Sequence, residues 1–185
     1  MTTIRFYGGA REKVCRLGLA DLFFELMQII FETRIEIVEK REVNGAAVVR
    51  EALDRGFAAG KDWVKITSGG IDWVKRIRYN QTFLARLGVE IQVSSRSDLL
   101  IRDIVHLRNS LQESHIDAGV IVVPSERFQT FLPSRTPSFR DAMRYIEQEF
   151  KEAMTFPIII MAVEHDDIGL VPLPKKKTNI GRISE

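Results

Sequence analysis

The chain has 185 residues, 45% of them hydrophobic, which suits one compact domain with a single core. Its 27 basic and 25 acidic side chains give a formal net charge of +2, so the net charge alone does not indicate a polyanionic partner, and any nucleic-acid surface must be a local patch. The single cysteine, Cys15, excludes an internal disulfide framework, and the N-terminus does not resemble a signal peptide. We therefore expect a cytoplasmic protein.

Two helices are predicted in the first 60 residues. In segment 17–31 polar side chains recur at helical spacing, so it is predicted to form an amphipathic helix whose apolar side serves a core or a dimer seam. The pattern of segment 33–39 fits either strand or helix. Asn44 is then predicted to cap a second helix, which ends near Gly56.

Short β-rich segments follow the second helix. Three strands are expected, at 63–67, 71–74 and 89–93, with a turn at 68–70. The tetrad Asp-Trp-Val-Lys occurs twice, beginning at Asp62 and at Asp72, but one repeated tetrad is too short to establish an internal duplication.

Helices and strands alternate in the second half of the chain. A helix is predicted over 98–111, an apolar strand over 118–123, a helix from the capping residue Ser138 to Ala153, and a strand over 158–163 after Pro157. This order favours an α/β fold with a mixed sheet and helices on both faces. We expect a single domain over 1–171, with a helical part (1–60) and a sheet core (61–164). The basic tail 172–185, with its lysines at 175–177, is either solvated or in contact with phosphate.

The most informative strand carries Glu90 and Gln92. Side chains two positions apart point to the same face of a strand, so these two form a polar pair on an otherwise apolar strand. Asp72 begins a neighbouring strand and would bring a second carboxylate toward Glu90. Two carboxylates and the Ile91 carbonyl suffice to bind Mg²⁺, which prefers oxygen ligands and activates water at a phosphodiester.

Four motifs occur in order along the chain: Asp72-Trp-Val-Lys75, Glu90-Ile-Gln92, Asp98-Leu-Leu-Ile-Arg-Asp103 and Asp117-Ala-Gly-Val-Ile-Val-Val123. The series resembles that of the BglII and BstYI restriction endonucleases. The resemblance implies a PD-(D/E)XK fold, with a mixed sheet flanked by helices, and Mg²⁺-dependent hydrolysis of double-stranded DNA at a short palindromic site. It also implies that Asp72 and Glu90 are the metal-binding acids, and that Gln92 stands where most related nucleases have lysine.

Several residues allow more than one assignment. Segment 76–87 is longer than the connection expected between the acid and the E-x-Q motif, which leaves Asp62 as a competitor of Asp72; we favour Asp72 because it follows the turn. Glu51 is either a further metal ligand or an exposed helical acid. His106 is expected to be a packing or surface residue, and His165 either binds metal or lies in a solvated acidic loop.

DNA contacts are expected directly after Gln92, where small donors and a guanidinium follow the catalytic strand: Ser94, Ser95, Arg96 and Ser97. Ser97 also suits the N-cap of the next helix, and the basic stretch 76–86 can follow the DNA backbone.

A homodimer is expected because paired sites suit a palindrome, with a cognate DNA methyltransferase encoded nearby. The alternatives are a DNA repair nuclease on the same fold and a catalytically inactive DNA-binding or partner-binding protein.

Overall fold

The computed structural model describes residues 3–16, 18–66 and 70–175. The elements of the first half are β1 (Ile4–Phe6), α1 (Ala10–Val14), α2 (Leu19–Glu32), β2 (Glu36–Ile37), α3 (Ala46–Ala59), β3 (Val64–Lys65), β4 (Trp73–Tyr79) and β5 (Thr82–Ile91). Those of the second half are α4 (Asp98–Gln112), β6 (Ala118–Pro124), α5 (Glu126–Gln129), α6 (Phe139–Arg144), a π-helical turn (Tyr145–Glu149), a 3-10 turn (Lys151–Thr155), β7 (Ile158–Val163) and β8 (Asp167–Ile168). The ambiguous segment 33–39 thus contains a short strand.

A six-stranded mixed sheet organises the molecule, with strand order β1-β7-β6-β5-β4-β3. The central strands β5, β6 and β7 are parallel, and the outer pairs are antiparallel. Strands β6 and β7 are buried along their whole length, as expected for parallel strands covered on both faces. A second, two-stranded sheet pairs β2 with β8 in parallel.

Helices cover both faces of the large sheet. Helices α2 and α3 pack on one face, where strand side chains such as Val89 and Ile91 point. Helices α4 and α6 pack on the other face, against residues such as Ile121. A methyl group added at Gly119 of β6 would lie 2.9 Å from Leu107 of α4, so glycine lets this helix lie close on the sheet. The predicted α/β fold with helices on both faces is confirmed.

The β4–β5 hairpin is longer than predicted. The expected strands 71–74 and 89–93 are parts of strands that run on through segment 76–87 and turn at Asn80, which has φ 55°. The prediction missed this ribbon because it is largely exposed and rich in arginine, so it lacks the apolar signal of a buried strand. Its antiparallel register pairs Trp73 with Val89, which brings Asp72, one residue before β4, beside Glu90.

Helix α3 departs from its predicted ends. It starts after Gly45 without a side-chain cap, because Asn44 is buried and bonds the backbone of Val38 and Phe131 instead. It also continues past Gly56. A methyl group there would lie 2.7 Å from Thr33 Oγ1, so this glycine serves the packing of α3 against the end of α2 rather than terminating the helix.

The helix predicted from Ser138 to Ala153 begins as predicted but ends early. Ser138 caps α6 in a complete capping box with Asp141, as its position predicted. The helix does not continue unbroken to Ala153, because it passes into a π-helical and then a 3-10 turn around Phe150.

Within the described residues, no helix has the length and apolarity needed to cross a membrane. Some predicted features lie partly outside the described residues: the start of the first helix at 17, the end of the strand 63–67, most of the turn 68–70, and the tail from 176 onward with two of its lysines.

Candidate active site

Asp72 and Glu90 meet at one end of the β4–β5 pair. The Asp72 carboxylate accepts a hydrogen bond from the Ile91 amide through Oδ2, at 2.9 Å. Its side chain is 24% exposed, whereas Glu90 is only 2% exposed. The Asp72 side chain is therefore partly accessible to solvent, whereas the Glu90 side chain is buried.

Arg50 of α3 reaches the same place from the other layer. Its Nη2 lies 2.7 Å from Asp72 Oδ1, and its Nη1 donates to the Ile91 carbonyl oxygen. The guanidinium also binds Asp54, with Nε 3.2 Å from Oδ2. One cationic group thus contacts two of the oxygens that the sequence assigned to a metal. The carboxylates of Asp72 and Glu90 and the Ile91 carbonyl together offer only oxygen ligands. Such a set fits a hard cation such as Mg²⁺.

Helix α4 adds two side chains to the far side of the site. Asp103 is buried, and His106 Nδ1 lies 3.3 Å from Glu90 Oε1. Ligand atoms of Glu90, Asp103 and His106 lie within 4.8 Å of one another. Three carboxyl groups, one from each of three segments, therefore surround this end of β5.

Burial shifts the proton affinities of these groups. Burial, followed by the charges of Asp72 and Asp103, raises the pKa of Glu90 to about 10. Burial and then the Asp72 charge raise the pKa of Asp103 to about 7. Burial and the nearby Arg102 lower the pKa of His106 below its usual range. Both shifts favour a neutral hydrogen bond between Glu90 and His106 over an ion pair in the metal-free protein.

Gln92 is buried on the same face as Glu90, where the strand pattern predicted it. Its Nε2 donates to Ser94 Oγ at 3.2 Å and to the Arg96 carbonyl at 2.9 Å. These bonds tie the loop 94–97 to the end of β5. The loop that the sequence assigned to DNA contact therefore follows directly on the acidic centre.

The rest of that loop is exposed. Arg96 binds Asp98, with Nη2 2.6 Å from Oδ2, and both side chains are largely in solvent. Ser97 occupies the N-cap position of α4 but makes no side-chain capping hydrogen bond, which corrects that part of the prediction. Ser95 is exposed as well.

Other candidates lie elsewhere. Asp62 stands in an exposed turn with φ 62°, and Glu51 is exposed on α3. The basic stretch 76–86 extends away from the acidic end of the sheet, since the six residue steps of β4 span roughly 20 Å. His165 is buried against Phe128 and Phe131, and its two ring nitrogens bind Glu164 and Glu39. The His165 side chain is therefore not solvated, although Asp166 and Asp167 of the same loop are exposed.

Arg50 was not among the predicted site residues, and neither Asp103 nor His106 of α4 was predicted to take part in the site. Asp103 did carry a signal, because it lies between Leu100 and Ile104 on the buried side of its helix, where an acid is costly. His106 follows at helical spacing, so the two share one side of α4. Arg50 carried no such signal, because an arginine on an amphipathic helix is ordinary.

Comparison with known proteins shows the family to which the chain belongs. The family model described as restriction endonuclease BglII/BglIII matches residues 4–163. A crystal structure of restriction endonuclease BglII complexed with a DNA 16-mer superposes with a TM-score of 0.65, at 12% identity, over 90% of this chain and 79% of that chain. Free BglII gives 0.58 at 14% identity, over 90% and 80% of the two chains.

A search of curated proteins finds no match. The structural likeness shows the fold, a mixed α/β arrangement of the PD-(D/E)XK type. The family model covers most of the chain, and restriction endonucleases are hydrolases of DNA. The chain therefore belongs to the BglII/BglIII restriction endonuclease family.

Proposed function

We propose that the protein is a type II restriction endonuclease that hydrolyses DNA phosphodiester bonds at a short palindromic site, with Mg²⁺ as cofactor. The observation that carries this proposal is the meeting of Asp72, Glu90 and the Ile91 backbone at the end of β5, in a chain of a restriction endonuclease family. The two carboxylates and the carbonyl oxygen are of the type that Mg²⁺ prefers.

In the proposed reaction, Asp72, Glu90 and the Ile91 carbonyl hold the cation. When bound, Mg²⁺ lowers the pKa of a water molecule and stabilises the charge that develops on the phosphate. Gln92 is neutral and cannot take up a proton, so we assign it to positioning, through its bonds to Ser94 and to the Arg96 backbone. Asp72 is the more exposed of the two acids, so we assign the approach of the phosphate to its side.

The proposed partner is double-stranded DNA, contacted by Ser94, Ser95, Arg96 and Ser97. Their position next to Gln92 supports this assignment, as does the relative solved with a DNA 16-mer. Arginine suits guanine or phosphate, and serine suits either bases or phosphate.

We further propose a homodimer, because two copies related by a two-fold axis match the symmetry of a palindrome. Helix α2 supports this, since it buries Leu22 and Leu26 in the core and leaves Phe24 and Phe31 exposed. The proposal extends to a cytoplasmic enzyme with a cognate DNA methyltransferase encoded nearby, which would protect the host's own sites. It treats 1–171 as one endonuclease domain and 172–185 as a tail.

Digestion of a fully sequenced supercoiled plasmid tests the proposal, with Mg²⁺ and with EDTA. We expect discrete fragments whose ends share one palindromic sequence, in Mg²⁺ only. Nonspecific nicking or cutting restricted to junctions would instead favour a repair nuclease on this fold. The absence of turnover in Mg²⁺ would favour a DNA-binding protein without catalytic activity.

A further inference from the structure

Glu90 has neighbours on α4 that the proposed reaction does not use. Asp103 and His106 project from this helix toward Glu90, and ligand atoms of the three residues lie within 4.8 Å of one another. Glu90 and Asp103 are each 2% exposed, so this is a buried cluster rather than a group of surface acids. His106 is partly exposed and leaves a route from solvent.

The charge balance of the cluster favours a cation. Asp103 lies 3.4 Å from the guanidinium of Arg102, which is more than half exposed, and Arg50 binds Asp72 rather than Asp103 or Glu90. Burying carboxylates is costly unless positive charge or protons compensate them. A divalent ion would supply that compensation at the point where the two buried acids approach.

We infer that Glu90, Asp103 and His106 form a second cation site, which shares Glu90 with the proposed Mg²⁺ site and suits a first-row transition ion such as Zn²⁺. The imidazole decides the class of ion, because Mg²⁺ favours oxygen ligands only, whereas Zn²⁺ binds nitrogen and carboxylate oxygen together. Three protein ligands with the fourth position left to water are common in zinc sites. Bonds of about 2.0 to 2.2 Å require ligand atoms about 3 to 4 Å from one another, so binding would draw together atoms that now lie within 4.8 Å of one another.

The backbone supports this arrangement. Asp103 and His106 are three residues apart on one helix, which places them side by side. The helix itself is held close to the sheet by Leu107 against Gly119. The packing of α4 thus fixes the positions of Asp103 and His106. Strand β5, which faces this helix, fixes the position of Glu90. The inference goes beyond the proposed function, because the cluster can bind its ion whether or not the protein cleaves DNA.

Titration of ¹⁵N-histidine-labelled protein with Zn²⁺ tests the inference by NMR. The chain has three histidines, so variants His106→Ala and His115→Ala assign the ring signals. We expect the ring nitrogens of His106 to shift at the lowest Zn²⁺ concentrations, and Mg²⁺ at the same concentrations to leave them unmoved. His115, exposed beside Glu113, is the matched control for surface binding.

The variant Asp103→Asn keeps the shape of the side chain and removes its charge. Loss of partners that merely orient a ligand costs about 10- to 100-fold in metal affinity, so we expect loss of this direct ligand to weaken Zn²⁺ binding at His106 at least tenfold. His115→Ala should leave that affinity unchanged. If the His106 signals move only together with those of His115, or if Asp103→Asn has no effect on a folded protein, the second site does not exist. Plasmid digestion in Mg²⁺ with Zn²⁺-free protein reports separately on the proposed function.

Discussion

Arg50 and Asp72 form an ion pair across two layers of the fold, with Nη2 2.7 Å from Oδ1. The same guanidinium donates to the carbonyl of Ile91, so it competes for two oxygens of the proposed Mg²⁺ site. We expect Arg50→Met to bind Mg²⁺ more tightly than the wild type, because Asp72 then lacks its positive partner. Without metal the variant should lose about 2 kcal/mol of unfolding free energy, since one charge of a partly buried pair is left uncompensated.

Calorimetric titration with Mg²⁺ and urea unfolding in EDTA measure the two effects. Arg55→Met is the matched control, because Arg55 lies on the exposed side of the same helix and should change neither quantity. Weaker Mg²⁺ binding in folded Arg50→Met would mean that Arg50 supports the cation site and does not compete for it.

Glu90 makes stability depend on pH in the metal-free protein. Its pKa is raised to about 10 in the folded state, mainly by burial, so between the unfolded value near 4.5 and 10 the folded state binds more protons than the unfolded one. The stabilisation is therefore fully present below the unfolded pKa and is lost as the pH rises toward 10, by on the order of 1 kcal/mol per pH unit within that range. Asp103, with a pKa of about 7, adds to the loss only up to neutral pH.

Urea unfolding in EDTA between pH 7.5 and 9.5 isolates the contribution of Glu90. Glu90→Gln cannot ionise and should be more stable than the wild type at pH 9, with a smaller loss between the two pH values. Equal slopes for the two proteins would show that Glu90 already ionises at neutral pH.

Arg96 is expected to separate recognition from chemistry. It lies on the loop that Gln92 fixes, yet it contacts none of the proposed metal ligands and pairs with Asp98. Arg96→Ala should therefore weaken DNA binding measured in Ca²⁺ by roughly tenfold or more. If Arg96 reads guanine, the loss of affinity depends on one base pair, and the sequence preference relaxes at that position. If Arg96 contacts phosphate, the affinity falls for all sequences and its salt dependence becomes shallower.

Asp98→Ala is the matched control for this experiment. It removes the negative partner of Arg96 and should leave DNA binding unchanged or tighter. Unchanged affinity, preference and salt dependence in Arg96→Ala would remove Arg96 from the DNA surface.

The sequence predicted those parts of the fold that bury an apolar pattern. Strand β7 was predicted at its observed limits, and β6 and α4 within a residue, because unbroken apolar runs or helical periodicity mark buried elements. The β4–β5 ribbon was missed beyond the sheet core, because arginines and exposed positions replace the apolar pattern there. Its register is a long-range property that no local pattern encodes.

The same limit applies to the site. Alternation along β5 places Glu90 and Gln92 on one face without any tertiary information. The contacts of Arg50 with Asp72 and of His106 with Glu90 join a helix to the sheet, and they depend on how the layers pack. Asp103 carried a local sign of burial, as an acid among apolar neighbours on its helix, but its place in the site was not predicted.

The most direct test of the account compares the two aspartates of the repeated tetrad. Supercoiled plasmid is digested in Mg²⁺ by the wild type, Asp72→Asn and Asp62→Asn, with folding of each variant checked by circular dichroism. Asp72 lies beside Glu90, whereas Asp62 stands in an exposed turn away from it. We predict discrete fragments from the wild type and Asp62→Asn and none from folded Asp72→Asn, because loss of a hard ligand weakens the cation and its hold on water. Near-normal cleavage by Asp72→Asn, or loss of cleavage in Asp62→Asn instead, would contradict the account.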